Sequence, residues 1–135
     1  MGTLAGAQQA AQQAGVEIAF RTCSLNYNAG LQMGRTLADT QTSAGRGIIV
    51  TNDWLALGVR TGLLGRGIAL EQSPLVSFDG LAMTEDPSLG IASLKIPIAT
   101  MAEDAVKELQ RLSRHRLPAG RTVRYPLYWR SELLA

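Results

Sequence analysis

The sequence predicts an α/β fold in which helices flank a doubly wound, mostly parallel sheet. Short apolar stretches rich in β-branched residues alternate along the chain with segments of helical periodicity, a pattern typical of right-handed strand–helix–strand units. Glycine-rich breaks such as Gly45-Arg-Gly47 and Gly65-Arg-Gly67 separate these elements. The length of 135 residues and the 46% hydrophobic content fit a single globular domain with a core of its own.

Four segments carry helical signals, and they cover 3–14, 28–43, 53–64 and 97–113. Gly15 supplies a C-cap for the first helix, and Pro97 occupies the position that proline favours at the start of the last one. The third helix carries Arg60 as its only charge after Asp53. A helix with so little polar surface is expected to be buried on all sides.

Strand signals cover 16–20, 48–51, 74–78 and 93–96. A last extended segment at 123–129 contains Pro126, which lacks a backbone donor and therefore favours an edge position. Because strands joined by helical crossovers run parallel, their carboxyl ends should meet at one edge of the sheet.

Two polar residues directly follow predicted strands. Asn52 comes after the strand at 48–51, and Asp79 comes after the strand at 74–78. Ligands of doubly wound sheets bind beyond the carboxyl ends of the strands, so we expect both side chains at one ligand site. A carboxylate and an amide together suit a ligand rich in hydroxyl or amino groups. The alternative is purely local, with Asn52 and Asp79 in turns and Asp53 capping the third helix.

The composition argues against nucleic-acid and membrane partners for this chain. The net charge is only +2, and cations around Arg111 and Arg114 suit the C-terminal end of a helix. No apolar run approaches the roughly 20 residues that span a bilayer. The single cysteine, Cys23, cannot form an internal disulfide, and the first residues lack the features of a signal peptide. We therefore expect a cytoplasmic location.

The signatures of enzyme and metal sites are missing from the sequence. His115 lies between two arginines without a nearby nucleophile, and there is no Gly-x-Ser-x-Gly elbow, phosphate loop or Cys/His metal spacing. A phospho-acceptor domain would need an acidic pair after the first strand, where Thr22-Cys23 stands. We expect no catalytic residue, no metal and no cofactor.

Three segments, in this order and spacing, resemble the effector-binding region of the lactose/galactose-repressor (LacI/GalR) family of bacterial transcriptional regulators. They read IIVTNDWLALGVRTGLLGRGI, PLVSFDGLAMTED and SLKIPIATMAEDAVKELQRL, and the resemblance runs from about Leu4 to Arg130. It implies a type I periplasmic-binding-protein-like fold of two α/β lobes, of which this chain supplies chiefly the C-terminal lobe. It also implies a small-molecule effector, a sugar or a purine, and control of DNA binding.

The resemblance also implies ligand-binding positions. The Asn and Asp that commonly contact the effector in the family match Asn52 and Asp79. The polar loop ahead of the second helix borders the family's pocket, which adds Leu25 and Tyr27. The family's effector-binding Arg falls on Thr3. Either the effector lacks the anionic or polyhydroxyl group that this Arg would hold, or truncation has altered the boundary region.

A homodimer is implied as well, because the family dimerises through the region of the third helix. The residues assigned to the dimer interface are Trp54, Leu57, Gly58, Thr61 and Leu64. One alternative is that the loop at 67–73 folds over this helix. Trp54 could also stack on a sugar face or lie in the core.

The sequence lacks two parts of the family pattern, the DNA-binding headpiece and the N-terminal lobe. The 135 residues contain no helix-turn-helix headpiece, so DNA contact is expected only through a headpiece not present in this chain. The N-terminal lobe, on which the helix at 97–113 packs in the family, is also absent. That helix is expected to dock in a new way on this lobe or against a second chain. Its apolar stripe contains Ile98, Met101, Ala105, Leu109 and Leu112. The alternative function is a fragment of a periplasmic sugar-binding protein or receptor of the same fold.

Overall fold

The computed structural model describes residues 2–40, 45–115 and 122–129. Its helices are α1 (Thr3–Ala14), α2 (Tyr27–Asp39), α3 (Asp53–Leu64) and α4 (Ile98–His115). Its strands are β1 (Ile48–Ile49), β2 (Leu75–Asp79), β3 (Ile91–Lys95) and β4 (Tyr128–Trp129). Short 3-10 turns occupy Leu70–Gln72, Ala82–Glu85 and Pro87–Leu89. The α/β fold class is confirmed.

The four strands form one sheet in the order β1-β2-β3-β4. β1, β2 and β3 run parallel, with Ile48 opposite Leu75 and Asp79 opposite Lys95. β4 is antiparallel to β3 and lies at the edge, where the sequence placed its last extended segment. The other edge is β1, whose flanking amides Ile48 N and Val50 N donate inward to carbonyls of the β2 segment. Ile49 is 55% exposed at this edge, which no other described strand covers.

The predicted strand at 16–20 is wrong. These residues form no strand, and Val16 and Phe20 are 61% and 42% exposed. A strand needs a neighbour to pair with, and its own β-propensity cannot supply one. The predicted helix at 28–43 ends at Asp39, and its last predicted residues lie outside the described part of the chain.

The core lies between α3 and the sheet. Its buried side chains are Val50, Leu55, Ala56, Val59, Leu63, Leu75 and Ile91. Half-buried side chains of α2, including Met33 and Leu37, pack against it. The expectation that α3 is buried is therefore met along most of its length, although Trp54 is 57% exposed and is not a core residue.

Glycines bring α2 and α3 into close contact. A Cβ on Gly34 would overlap the Val59 carbonyl oxygen, and one on Gly58 would overlap the Tyr27 carbonyl oxygen. Gly30 and Gly62 complete the same crossing. The second face of α3 is thus covered by α2 of the same chain and not by the loop at 67–73. Gly58 is buried inside this crossing, which corrects its assignment to a dimer interface.

Arg60 of α3 is completely buried at the amino ends of the strands. Its Nη2 donates to Ser73 O at 3.1 Å and to Gly90 O at 2.8 Å, and these carbonyls precede β2 and β3. Burial lowers the pKa of Arg60, which the negative charge of Glu71 partly offsets. The guanidinium thus ties both loops to α3.

α4 does not dock on the sheet. Ile98, Met101 and Leu109 of its apolar stripe are 60%, 39% and 67% exposed, so the prediction that it docks in a new way on this lobe is wrong for the described residues. The Tyr125 hydroxyl donates to Asp104 Oδ2 at 2.8 Å and holds the last segment against the helix. Packing of the stripe against a second chain stays a prediction. No helix among the described residues is long and apolar enough to cross a membrane.

Candidate ligand site at the carboxyl edge of the sheet

Asn52 is the N-cap of α3. Its backbone is extended (φ −153°), and Leu55 N donates to its Oδ1 at 2.8 Å. The cap was predicted one residue later, at Asp53, which is wrong because Asp53 already belongs to the helix. Capping uses the amide oxygen of Asn52 and leaves the two donors of Nδ2 for other partners.

Asp79 ends β2 beside the start of α3. Asp53 N donates to Asp79 Oδ2 at 3.3 Å, so the carboxylate lies next to the peptide that links Asn52 to Asp53. The predicted meeting of Asn52 and Asp79 at one edge of the sheet is confirmed as geometry. Their contact with a ligand stays a prediction.

The environment of Asp79 disfavours its ionised form. Burial raises the pKa of this carboxyl, the hydrogen bond from Asp53 N lowers it, and the nearby charge of Asp53 raises it again. The net effect is a pKa above the ordinary aspartate value. A partly desolvated carboxylate of this kind gains from donors that a ligand supplies.

Asp53 holds a hydrogen-bond network that the sequence analysis missed. Its side chain is completely buried. Ser77 Oγ and Ser93 Oγ both donate to Asp53 Oδ1, the latter at 2.6 Å, and Leu81 N donates to Oδ2 at 2.7 Å. A signal was available, since Ser77 interrupts an apolar predicted strand and Ser93 begins the next one, and buried hydroxyls need a polar partner.

The remaining predicted ligand positions lie elsewhere. Leu25 is 69% exposed in the loop before α2. Tyr27 begins α2, and its carbonyl packs against Gly58, part way along α3 and not at its start. Thr3 begins α1, and its side chain lies outside what the structure describes. Only Asn52 and Asp79 of the predicted set are thus seen together.

Two open cavities flank these elements. One of about 450 Å³ is lined by Lys95, Pro97, Ile98, Ala99 and Thr100. Because Lys95 pairs with Asp79 across β2 and β3, this cavity borders the candidate site. The other, of about 730 Å³, lies between α2 and the segment around Cys23, away from Asn52 and Asp79. Within residues 2–40, 45–115 and 122–129, no group of three His, Cys, Asp or Glu side chains could hold a metal ion.

Comparison with solved structures gives the same fold in transcriptional regulators. The structure of the Lac repressor bound to ONPG matches with a TM-score of 0.81 and 19% identity over 93% of this chain. A LacI-family regulator from Enterococcus faecium with bound ribose matches with a TM-score of 0.78 and 20% identity over 93% of this chain. The Escherichia coli repressor ascG matches with a TM-score of 0.70 and 23% identity over 82% of this chain.

The chain spans less than half of each of these proteins, namely 38%, 47% and 41% of their lengths in the same order. No curated protein sequence matches it. The model of the periplasmic binding protein-like domain matches residues 3–131. Since this match takes in nearly the whole sequence, the chain belongs to the periplasmic binding protein-like domain family.

Proposed function

We propose that this chain is the C-terminal, ligand-sensing and dimerisation part of the effector domain of a bacterial LacI-type transcriptional regulator. The whole protein would control DNA binding in response to a small metabolite, a sugar in the first instance. DNA contact would be made by a headpiece outside this chain. The protein would act in the cytoplasm, without catalysis and without a cofactor.

The observation that carries the proposal is that Asn52 and Asp79 lie at the carboxyl ends of adjacent parallel strands, with Asp79 in contact with the residue that follows Asn52. This is the edge at which open α/β sheets bind ligands. Asp79 supplies acceptors and Asn52 Nδ2 supplies donors, and the two together match the alternating donors and acceptors of a polyol. The fold shared with the Lac repressor and with the ribose-bound regulator supports the same ligand class.

Control would follow from a shift between two arrangements of lobes. A ligand held by Asn52 and Asp79 on this lobe, and by a second lobe on its other side, favours the closed arrangement. It shifts the equilibrium by its difference in affinity for the open and closed forms. This chain would contribute one wall of the cleft.

The dimer face that we propose is the outer stripe of α3. Trp54 and Leu64 are 57% and 43% exposed, and Leu57 and Thr61 are half-buried between them. These residues recur at helical spacing on one side of α3, whereas Gly58 faces α2. The stripe remains available to a second copy in the described structure.

A binding measurement tests the site. Trp54 directly follows Asn52 and Asp53, and in a Trp129→Phe background it is the single tryptophan of the sequence. Its fluorescence can therefore report on titrations with D-ribose, D-galactose, D-glucose and hypoxanthine. We expect at least one of these compounds to bind, and Asp79→Asn to weaken its binding about tenfold, as for loss of a hydrogen bond to a charged group. The matched control is Asp86→Asn, which removes an exposed carboxylate. Equal binding by all variants would remove Asp79 from the site.

The second candidate function is a periplasmic solute-binding protein or receptor, which the matched family model favours through its description. The gene sequence upstream of codon 1 discriminates between the two. A basic helix-turn-helix there supports the regulator, and a signal peptide supports the solute-binding protein.

A further inference from the structure

The turn that follows β2 has an unusual backbone. Asp79 adopts φ +112°, a region that residues with a side chain rarely occupy, and Gly80 follows at φ +68°. A Cβ at Gly80 would overlap Lys95 Cα. Such a conformation persists only when surrounding contacts hold it. The direction of the Asp79 carboxylate depends on this turn.

Each residue of the turn is tied to Asp53. Asp79 Oδ2 accepts from Asp53 N, and Leu81 N donates to Asp53 Oδ2. Gly80 N donates to Ser93 Oγ at 3.0 Å, and the same hydroxyl donates to Asp53 Oδ1. The buried carboxylate of Asp53 therefore fixes Leu81 directly and Gly80 through Ser93, whereas Asp79 is held by the backbone amide of Asp53.

We propose that Asp53 is a positioning residue for ligand binding, because its buried carboxylate holds the turn at 79–81 and so aims Asp79 at the ligand. The inference rests on the proposed function of the Asn52–Asp79 site. Asp53 itself is completely buried and does not touch the ligand.

The network is built around a carboxylate at this position. Both oxygens of Asp53 accept, one from two serine hydroxyls and the other from Leu81 N. An asparagine accepts on one side only. In either orientation of its amide, Nδ2 would face a group that now donates. Asp53→Asn should therefore loosen the turn although it preserves the shape of the side chain.

The two serines provide a matched pair of variants. Ser77 and Ser93 are register partners on β2 and β3, both completely buried, and both donate to the same oxygen of Asp53. Only Ser93 also accepts from the turn, through Gly80 N. Ser77→Ala and Ser93→Ala thus remove equivalent bonds to Asp53 but differ in their effect on the turn.

Two measurements on the whole chain test the inference, with wild type, Asp53→Asn, Ser93→Ala and Ser77→Ala. Amide hydrogen exchange followed by NMR should show faster exchange at Leu81 in Asp53→Asn and at Gly80 in Ser93→Ala, relative to the core amides of the same variant. Titration with D-ribose, D-galactose and D-glucose should show binding weakened about tenfold in both, as for loss of one charge-assisted hydrogen bond. Ser77→Ala should bind within about twofold of wild type, because a group without contact to the ligand or the turn has little leverage on affinity.

The outcomes separate this inference from the proposed function. If wild type binds a sugar and Ser77→Ala weakens binding as much as Ser93→Ala, then Asp53 serves stability alone and the inference fails. If neither this chain nor the whole regulator that contains it binds any of the sugars, the proposed site fails, and with it the role of Asp53 in affinity. The exchange rates at Leu81 and Gly80 still decide whether Asp53 holds the turn. Should Asp53→Asn not fold, the Ser93 and Ser77 variants carry the test.

Discussion

At the level of single residues, Asn52 separates a structural task from a binding task. Its Oδ1 caps α3, whereas its Nδ2 is the group proposed to meet the ligand. The local sequence predicts a helix cap, but it places the cap at Asp53 and the structure places it at Asn52. Both Asn52 and Asp53 are good capping types, and only the extended backbone at Asn52 decides between them.

The two tasks of Asn52 can be separated by substitution. Asn52→Ala should lower the free energy of unfolding by about 1 kcal/mol, the usual contribution of an N-cap. Asn52→Ser keeps a capping oxygen and should stay close to wild type in stability while losing the Nδ2 donor. Urea unfolding measures the first effect, and sugar titration measures the second. A serine variant that binds as wild type does would assign Asn52 to capping alone.

Asp79 should make stability fall as pH rises. Because burial raises its pKa above 3.8, the folded chain retains a proton that the unfolded chain has released. This contribution is fully present below 3.8 and is lost as pH rises through the folded-state pKa of Asp79. The Asp79→Asn variant lacks this titrating group. As pH rises from 3.8 through the folded-state pKa of Asp79, its stability should therefore increase relative to that of wild type. Urea unfolding between about pH 3 and 7 measures the difference.

Asp86 provides the opposite case for the same measurement. Hydrogen bonds from the Ser88 side chain and backbone lower the pKa of this exposed carboxyl. Its contribution is therefore present above 3.8 and lost as pH falls through its lowered pKa. If the difference in stability from wild type changed with pH in the same way for Asp79→Asn and Asp86→Asn, the opposite pKa shifts assigned to the two carboxyls would be contradicted.

At the level of elements, the sequence predicts the helices correctly, but it also predicts a strand at 16–20 that the structure does not contain. The bounds of α1 and α3 follow from capping residues and periodicity, which are local. The segment Val16–Phe20 has strand-like composition, but pairing depends on a distant neighbour. The cover of α3 was misassigned for a related reason. The face that carries Gly58 was assigned to a dimer interface, although glycines spaced four apart in α2 and α3 allow these two helices to meet there.

Adding a methyl group within this crossing should be costly. A Cβ at Gly34 meets the Val59 backbone, which cannot move aside as a flexible side chain can. Gly34→Ala should therefore destabilise the chain by about 1–3 kcal/mol, as overpacking does. Gly6→Ala is the matched control, because it lies within α1 with nothing within 4 Å of the added Cβ. The free energy of unfolding of Gly6→Ala should rise by up to about 1 kcal/mol, because alanine has a higher helix propensity than glycine. Urea denaturation distinguishes the two, and equal stabilities would refute the close crossing.

At the level of the whole molecule, the apolar stripe of α4 lacks a cover in the described residues. Met101 is 39% exposed and Leu109 is 67% exposed. Burying a side chain of this size contributes about 1.5–3 kcal/mol, so the stripe favours association. No sequence pattern identifies the partner, because the same stripe would pack equally well on a second lobe or on a second copy.

This stripe should make self-association depend on concentration. Sedimentation velocity of the chain should show a shift from monomer toward dimer as concentration rises. Leu109→Glu should reduce that shift, since a carboxylate on the stripe would be desolvated in the interface. Gln110→Glu adds the same charge at a neighbouring exposed position outside the stripe and should leave association unchanged. A monomer at every concentration would exclude α4 as an interface.

The free edge at β1 has a practical consequence for handling the protein. Since Ile48 N and Val50 N turn toward β2, the amide and carbonyl of Ile49 face outward. Natural sheets guard such borders with charged residues, proline, a bulge or a very short edge strand, and β1, with two residues, uses the last of these. A border this short offers a neighbouring molecule too few hydrogen bonds to serve as a template, so concentrated samples should resist cross-β growth during storage.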